Sequence, residues 1–277
     1  MNFRDIACDH LAQYRVDVLG VKEDGLFHYR GQDIPKHHIL PISNLEMNIL
    51  EKYRDRFWSS EYADQTKVKL HRYFHHLNSS QALCFNLFYP LIAEESLGLF
   101  LGYIGVNQKG NPIPTFEKES ELEVAERKTS FDFHIKLASA SQIFVEVKYT
   151  EDGFGKAESD FEHQVKFLNT YLPLLVKSKY LRPECKGEQF FFNHYQILRN
   201  LVHISDTDIV VLLFPKANRL VAEQADYARD FLLSDKGKAK LKIVFLEDFV
   251  SFLEDKCRGG KLNGYYQDFR AKYLPLV

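Results

Sequence analysis

The strongest constraint on the fold is a pair of apolar runs in the last third of the chain. Residues 208–214 read DIVVLLF, and residues 242–248 read KIVFLED. Strands as continuously apolar as these are typical of a sheet that is covered on both faces. The segment between them, RLVAEQADYARDFLL, has helical periodicity. This strand, helix, strand order predicts parallel pairing in an α/β fold.

A meander of strands is predicted before these runs. Between residues 119 and 150 the pattern changes from helical spacing to alternation of apolar and polar residues. Helices are predicted after it, one following a capping pattern at Ser159 and Glu162, and one within residues 190–202. The predicted fold is a mixed sheet flanked by helices, in the order αβββαβ. The three predicted strands are ELEVAER, SFDFHIKL and QIFVEVKYT.

The N-terminal part has a different pattern. Residues 14–31 alternate around Glu23-Asp24-Gly25, which predicts a β-hairpin, and residues 42–57 predict a helix. A helical period also runs from Lys67 to Tyr89, with a cap or break at residues 78–80 and a stop at Pro90. No linker rich in Gly, Ser or Pro divides the chain. We therefore expect one compact unit, with residues 1–66 as an N-terminal elaboration of a core formed by residues 67–277.

Composition restricts the function only weakly. The 277 residues carry a net charge of −2, which excludes a strongly basic chain. One stretch, residues 67–76, nevertheless concentrates cations in a region, residues 65–93, that contains no Asp or Glu. It predicts a surface that contacts phosphate, and a solvated polar surface is the alternative. The cations are Lys67, Lys69 and Arg72.

Other classes of protein are disfavoured. The most apolar window, residues 82–106, is interrupted by polar residues and a proline, so no membrane segment is expected and the predicted location is cytoplasmic. The four cysteines form no C-x-x-C pair. They are expected to be free thiols, without a disulfide framework or a zinc site.

Charged residues within the meander are the candidate functional residues. If the connection ASAS closes a hairpin centred near Ser139, Asp132 lies opposite Glu146 or one step diagonal to it. Opposed Cβ atoms are roughly 4.5 to 5.5 Å apart, so two carboxylates there repel each other. The ammonium of Lys148 or a bound Mg²⁺ or Mn²⁺ would compensate. In the alternative interpretation, these residues face solvent as cross-strand ion partners.

With these residues the chain resembles the PD-(D/E)XK nuclease superfamily, in its restriction-endonuclease-like branch. The motif is Asp132 followed by Glu146-Val147-Lys148, and the resemblance covers roughly residues 70 to 250. Phe131 stands where the superfamily name has proline. The companion segments are HLNSSQALCFNLFYPL, VEVKYTEDGFG and HYQILRNL.

The resemblance implies a Mg²⁺-dependent DNA endonuclease with a restriction or defence role, in which Mn²⁺ would substitute. It implies Asp132, Glu146 and the Val147 carbonyl as metal ligands, and Lys148 as the group that orients water or helps to deprotonate it. By analogy, a homodimer would suit cleavage of both strands. An upstream acid is also implied, with Glu95 as one candidate. The others are Glu94, Glu121 and Glu123.

A predicted helix adds further polar residues. Gln196, Arg199 and Asn200 share one helix face, from which Gln196 would support the metal ligands and Arg199 would contact phosphate. A solvated face is the alternative. Two other functions stay open at this level, namely a non-catalytic nucleic-acid-binding or assembly protein on the same fold, and a protein-interaction module.

Overall fold

The structure is a computed structural model that describes residues 2–107, 110–123 and 128–274. The chain divides into two compact units. One comprises Met1–Asn107, Pro215–Asn218 and Phe245–Val277, and the other comprises Gln108–Phe214 and Arg219–Val244. The boundary predicted after residue 66 falls within the first unit and stays a prediction.

Both units contain helices and strands. The helices are α1 Phe3–Asp17, α2 Glu51–Trp58, α3 Ser80–Ala93, α4 Gly98–Tyr103, α5 Phe161–Lys166, α6 Leu172–Lys177, α7 Glu188–Asn193, α8 Tyr195–Leu201, α9 Arg219–Tyr227, α10 Asp235–Lys238, α11 Leu246–Lys256 and α12 Tyr265–Tyr273. The strands are β1 Gly25–Tyr29, β2 Gln32–Lys36, β3 Ile113–Glu119, β4 Ser130–Lys136, β5 Gln142–Val147, β6 Ile209–Phe214 and β7 Leu241–Phe245. Short 3₁₀ segments span Ile42–Asn48, Glu61–Ala63 and Pro183–Lys186, and π-helical segments span Phe167–Tyr171 and Ala228–Leu232.

The N-terminal hairpin exists, but its predicted position was wrong. Helix α1 continues to Asp17, because its buried face runs through Ala7, Leu11 and Tyr14. The hairpin is formed by β1 and β2, and its turn lies at Arg30 and Gly31, both with positive φ. A glycine in that conformation carries no steric penalty, which makes this the favoured turn.

The helix predicted from Lys67 begins later than expected. Residues 67–79 form turns and irregular segments, and α3 starts at Ser80, where the Ser79 side chain caps the amide of Ala82. Pro90 was predicted to stop the helix but lies within it. Proline leaves the Asn86 carbonyl without its usual helical donor. The hydroxyl of Tyr265 donates to that carbonyl at 2.8 Å and replaces the missing bond.

The second unit contains a five-stranded sheet in the order β3-β4-β5-β6-β7. Strands β3, β4 and β5 form an antiparallel meander, and β5 pairs with β6 in parallel. Every residue of β6 is buried, which confirms the strand predicted from its apolar run. The sheet is mixed and flanked by helices, as predicted, and it is consistent with a restriction-endonuclease-like core.

The first strand of the meander was assigned too late in the chain. It is β3, which ends at Glu119, so Glu121 and Glu123 lie beyond it. The rest of the predicted strand, residues 124–127, lies outside the described residues. Both predicted helices after the meander are present, although a π-helical segment separates α5 from α6, and His194 separates α7 from α8. The cap of α5 is Asp160, one residue after the predicted Ser159. Within the described ranges, every helix is too short or too polar to cross a membrane.

Candidate active site

The strand register places the two predicted acids opposite each other. Phe133 pairs with Val145 on the neighbouring strand, so the next pair in the same register is Asp132 and Glu146. The carboxylate of Asp132 accepts a hydrogen bond from the Val147 amide at 2.7 Å. Of the two arrangements predicted for a hairpin centred near Ser139, direct opposition is the one present.

Glu146 and Lys148 are buried together. The Lys148 Nζ atom lies 2.9 Å from Glu146 Oε1, and the two side chains are 10% and 5% exposed. Because so little of either side chain reaches water, the interpretation that they face solvent does not hold. Lys148 also lies 5.7 Å from the centre of the Phe154 ring, which covers it on one side.

The amide of Gln196 joins this pair from helix α8. Its Nε2 donates to Glu146 Oε1 at 2.8 Å, and its Oε1 accepts from Lys148 Nζ at 3.2 Å and from the Gly155 amide at 3.0 Å. The Gln196 backbone amide donates in turn to the Gly155 carbonyl at 3.0 Å. One side chain thus holds the carboxylate, the ammonium and the loop after β5 in fixed positions.

Charge and burial shift the protonation equilibria at the site. Burial raises the pKa of Asp132 well above its ordinary value, and the negative charges of Glu146 and then Glu117 raise it further. Burial alone would lower the pKa of Lys148. The attraction of Glu146, Glu151 and Asp132 nevertheless raises it above its ordinary value. Lys148 is therefore an ammonium at neutral pH and a hydrogen-bond donor.

Glu117 is an acidic residue of the site that the sequence analysis missed. Its neighbours Phe116 and Lys118 pair with Phe133 and Phe131, so Glu117 lies across from Asp132. Its φ of 51° is unusual for a residue other than glycine within a strand, and conformations of this kind concentrate at functional sites. The segment IPTFEKE, which contains Glu117, could have been recognised as the first strand of the meander. The sequence analysis predicted that strand at ELEVAER instead.

These groups fit a divalent cation. The carboxylates of Asp132 and Glu146 share the Lys148 ammonium, and hard oxygen donors of this kind suit Mg²⁺ or Mn²⁺. The amide of Lys148 donates to Leu213 on β6, so the polar backbone groups of Val147 face β4. The Val147 carbonyl is thereby directed to the side on which Asp132 lies.

Side chains alone do not complete a metal site. Among residues 2–107, 110–123 and 128–274, no three or more His, Cys, Asp or Glu side chains are placed to hold a metal ion together. The predicted ligand set draws on two side chains and a backbone carbonyl. Mg²⁺ usually takes only one or two carboxylates and keeps several waters, and the predicted set is of this kind.

Comparison with known proteins adds one finding to this geometry. The model of a family described as restriction endonuclease associating with ARP matches residues 9–274. The chain belongs to this family. No curated protein and no solved structure matches it. Membership of a restriction endonuclease family indicates a nuclease role with DNA as the substrate.

In this restriction endonuclease family member, Arg199 is turned away from solvent. Its guanidinium lies 3.6 Å from the carboxylate of Glu123, and only 15% of its side chain is exposed. The rings of Tyr195 and Tyr171 lie 4.9 and 5.6 Å from it. Arg199 is thus a partner of a buried acid and not the exposed cation that a phosphate contact requires.

Glu123 is held by several donors besides Arg199. The Tyr171 hydroxyl donates to it at 2.8 Å and the Thr129 amide at 3.0 Å, and the Thr129 hydroxyl donates as well. Its side chain is completely buried. Because Arg199 lies one helical turn after Gln196, these contacts anchor the helix that carries Gln196 to the loop after β3.

The remaining predicted acids have other surroundings. Glu121 is exposed and pairs with Lys118 at 2.6 Å. In the first unit, Glu94 pairs with Arg56 at 2.6 Å, and Glu95 follows the end of α3 with a φ of 51°. Of the four upstream acids, only Glu121 and Glu123 belong to the unit that contains Asp132.

The predicted basic surface lies in the first unit. All three cations of the stretch are exposed, as a phosphate contact requires. Lys67 lies 3.2 Å from Glu61, and the Arg72 guanidinium lies 4.4 Å from the centre of the Tyr73 ring. Because residues 67–79 form turns and irregular segments, these side chains do not project from the predicted helix face. Their contact with phosphate stays a prediction, as does that of Lys69.

Proposed function

We propose that this chain is a Mg²⁺-dependent DNA endonuclease of the PD-(D/E)XK type that hydrolyses phosphodiester bonds in restriction or defence. The observation that carries the proposal is the set formed by the half-buried Asp132 and the buried Glu146 and Lys148, with Gln196 bridging the last two. A strand that only had to be stable would carry apolar residues at these positions. The membership of a restriction endonuclease family supports the same activity.

In the proposed arrangement, Asp132, Glu146 and the Val147 carbonyl hold the metal ion, for which Mn²⁺ substitutes. When bound, the ion supplies Lewis-acid activation of water and neutralises charge on the phosphoryl group. Lys148 donates hydrogen bonds and orients the attacking water, because a charged ammonium has no lone pair with which to accept a proton. Gln196 fixes the positions of Lys148 and Glu146.

The approach to DNA involves further residues. Lys67, Lys69 and Arg72 contact phosphates, which would make binding weaken steeply as salt concentration rises. A homodimer would bring two such sites to the two strands of a symmetric target. We also propose that this chain associates with ARP, since the description of its family names that association.

The test is cleavage of a plasmid and of oligonucleotides with Mg²⁺ or Mn²⁺, with EDTA as the metal-free arm. Wild type should cut and Asp132→Ala should not. Glu158→Ala, which removes an exposed carboxylate of the same unit, is the matched control and should cut like wild type. Cleavage that persists in Asp132→Ala would overturn the assignment.

A second candidate is a non-catalytic assembly protein on the same fold, which the naming of an association partner in the family description favours. In that case the chain would bind DNA or its partner with equal affinity whether or not Lys148 is replaced by alanine. No cleavage dependent on Mg²⁺ would then be seen under any condition in which the protein is folded.

A further inference from the structure

An exposed apolar stripe runs along one helical segment of the second unit. Helix α5, the π-helical segment after it and α6 follow one another without a break over residues 161–177. Apolar side chains recur here four, three, four and four residues apart, so they share one helix face. The apolar stripe consists of Phe161, Val165, Leu168, Leu172 and Val176.

Most of this stripe is open to solvent. Phe161 is 82% exposed, Val176 is 58% exposed and Leu168 is 53% exposed. A different face of the same segment already packs into the core, where Phe167 and Leu175 are buried. A surface helix needs only one apolar face, and a helix that is apolar on more than one side is normally covered there as well. The second apolar face therefore indicates a partner that covers it.

The area of the stripe fits an interface between two chains. Monomeric soluble proteins rarely expose contiguous apolar patches larger than a few hundred Å². The stripe offers on the order of 400 Å² of apolar surface, since one aromatic side chain alone buries about 150 to 250 Å² when it is covered. A stable complex buries about 800 Å² per partner, of which about 57% is apolar. The stripe would supply most of that apolar share.

Charged residues beside the stripe favour a particular partner in a particular direction. Glu162 lies near the start of the segment and Lys177 at its end, and both are exposed. They are about four helical turns apart, so they flank the stripe on the same side. Among the residues that the structure describes, neither forms an ion pair. A second copy lying antiparallel on the first would bring Glu162 of each chain opposite Lys177 of the other, whereas a parallel copy would place like charges level with each other.

We propose that residues 161–177 form the interface of a homodimer, in which the same segment of a second copy packs antiparallel across the apolar stripe. Phe161 of one chain then lies beside Val176 of the other, and Leu168 lies near the two-fold axis. The inference rests on the proposed function for its role, because it assigns a surface to the homodimer that would bring two sites to the two strands of DNA.

The test is the oligomeric state of the full chain in EDTA and without DNA, followed by sedimentation velocity from about 1 to about 100 μM protein. Wild type should approach twice the mass of one chain, because interfaces of this size have dissociation constants that are micromolar or tighter. Leu168→Asp should weaken dimerisation by at least about tenfold, since it places an unpaired charge within the apolar contact. Leu220→Asp is the matched control, because Leu220 lies on α9, outside the stripe, and is 52% exposed.

An exchange of charges tests the direction of the second copy. Glu162→Lys should weaken dimerisation by about fivefold, because it turns attraction into repulsion at both symmetric positions. Lys177→Glu should do the same. The two substitutions combined should recover the affinity of wild type, and a double variant as weak as the single ones would overturn the antiparallel arrangement.

The other outcomes are equally decisive. A wild type that stays monomeric at about 100 μM would overturn the homodimer and leave the stripe to a different protein. A dimer that persists in Leu168→Asp, or that Leu220→Asp disrupts to the same extent, would overturn it too. If circular dichroism shows Leu168→Asp to be unfolded, Phe161→Asp takes its place, because a side chain as exposed as that of Phe161 contributes little to the fold.

This result is separable from the nuclease assignment. Dimerisation is measured without metal or DNA, so it does not depend on whether the chain cleaves DNA. A wild-type dimer that does not cleave would refute the nuclease and leave the interface standing. A monomeric wild type whose cleavage depends on Asp132 would refute only the interface.

Discussion

Asp132→Asn should stabilise the metal-free protein while abolishing cleavage. Asp132 lies opposite Glu146 and near Glu117, and their negative charges raise its pKa after the larger effect of burial. Asparagine removes the charge but keeps an oxygen that accepts from the Val147 amide. The substitution therefore removes the charge repulsion at this position while keeping the size of the side chain and its hydrogen bond.

The size of the effect follows from the separation of the strands. Charges roughly 5 Å apart interact by about 3 kcal/mol at an effective dielectric constant of about 20. Attraction between Asp132 and Lys148 offsets part of this repulsion, since the ammonium lowers the pKa of the same carboxyl. A net gain of about 1 to 2 kcal/mol in the free energy of unfolding remains, which is a shift of roughly 0.5 M in the urea midpoint.

Urea unfolding in EDTA at pH 7 measures this gain, and repeating it with Mg²⁺ tests the metal. Mg²⁺ should stabilise wild type and leave Asp132→Asn unchanged, because a ligand stabilises only a state that binds it. Glu158→Gln is the control for loss of one negative charge. An Asp132→Asn midpoint at or below that of wild type in EDTA would show that the acids do not repel each other as described.

The dependence on pH has a definite sign. A carboxyl whose pKa is raised in the folded state binds more protons there than in the unfolded chain. The contribution of Asp132 to the free energy of unfolding is therefore largest below its ordinary pKa of 3.8. It falls as the pH rises from there through the raised pKa of the folded state. The advantage of Asp132→Asn over wild type should shrink as the pH is lowered from neutral toward 4.

Three further predictions concern residues around the site. Gln196→Ala should lower the cleavage rate by about 10- to 100-fold in a plasmid assay, because the amide that bridges carboxylate and ammonium is lost, while far-ultraviolet circular dichroism stays unchanged. Glu123→Gln should cost about 3 kcal/mol in urea unfolding because it leaves Arg199 buried without its acid, and adding Arg199→Met should recover part of that loss; equal stability of the single and double variants would contradict the pairing. Burial lowers the pKa of His203 from 6.5 to about 4, so its contribution should reduce stability by up to about 3 kcal/mol as pH falls from 6.5 to 4. His203→Gln should flatten that part of the urea midpoint profile, and a profile parallel to that of wild type would refute the assignment.

Burial on both faces made the second unit predictable from the sequence. Strand β6 was identifiable because all of its residues are apolar, and the hairpin of β4 and β5 because its residues alternate around a short connection. That pattern predicted Asp132 opposite Glu146 or one step diagonal to it, and the register of the strands makes the two residues directly opposed. The burial of Lys148 was not predictable, since it depends on Phe154 and Gln196, which come from other parts of the chain.

The errors have identifiable physical causes. ELEVAER alternates as a strand does, whereas the real strand β3 contains a proline and the positive φ of Glu117, both of which local propensity disfavours. Pro90 was predicted to stop a helix because the Tyr265 hydroxyl that satisfies the exposed carbonyl is remote in sequence. In each case a distant contact or a strained residue outweighed the local pattern.

Several departures from local rules coincide at the candidate site, and that coincidence is itself an argument. Opposed acids on paired strands, an ammonium that is almost completely buried, and a left-handed residue within a strand each reduce stability. The opposed acids are Asp132 and Glu146, the buried ammonium is Lys148, and the left-handed residue is Glu117. All four lie on the first three strands of one sheet or directly after them. Conflicts between sequence and fold are expected at functional sites and are rare elsewhere in a stable chain. The divalent cation of the proposed nuclease would give a reason for all of them together, since it would neutralise the same charges that destabilise the metal-free protein.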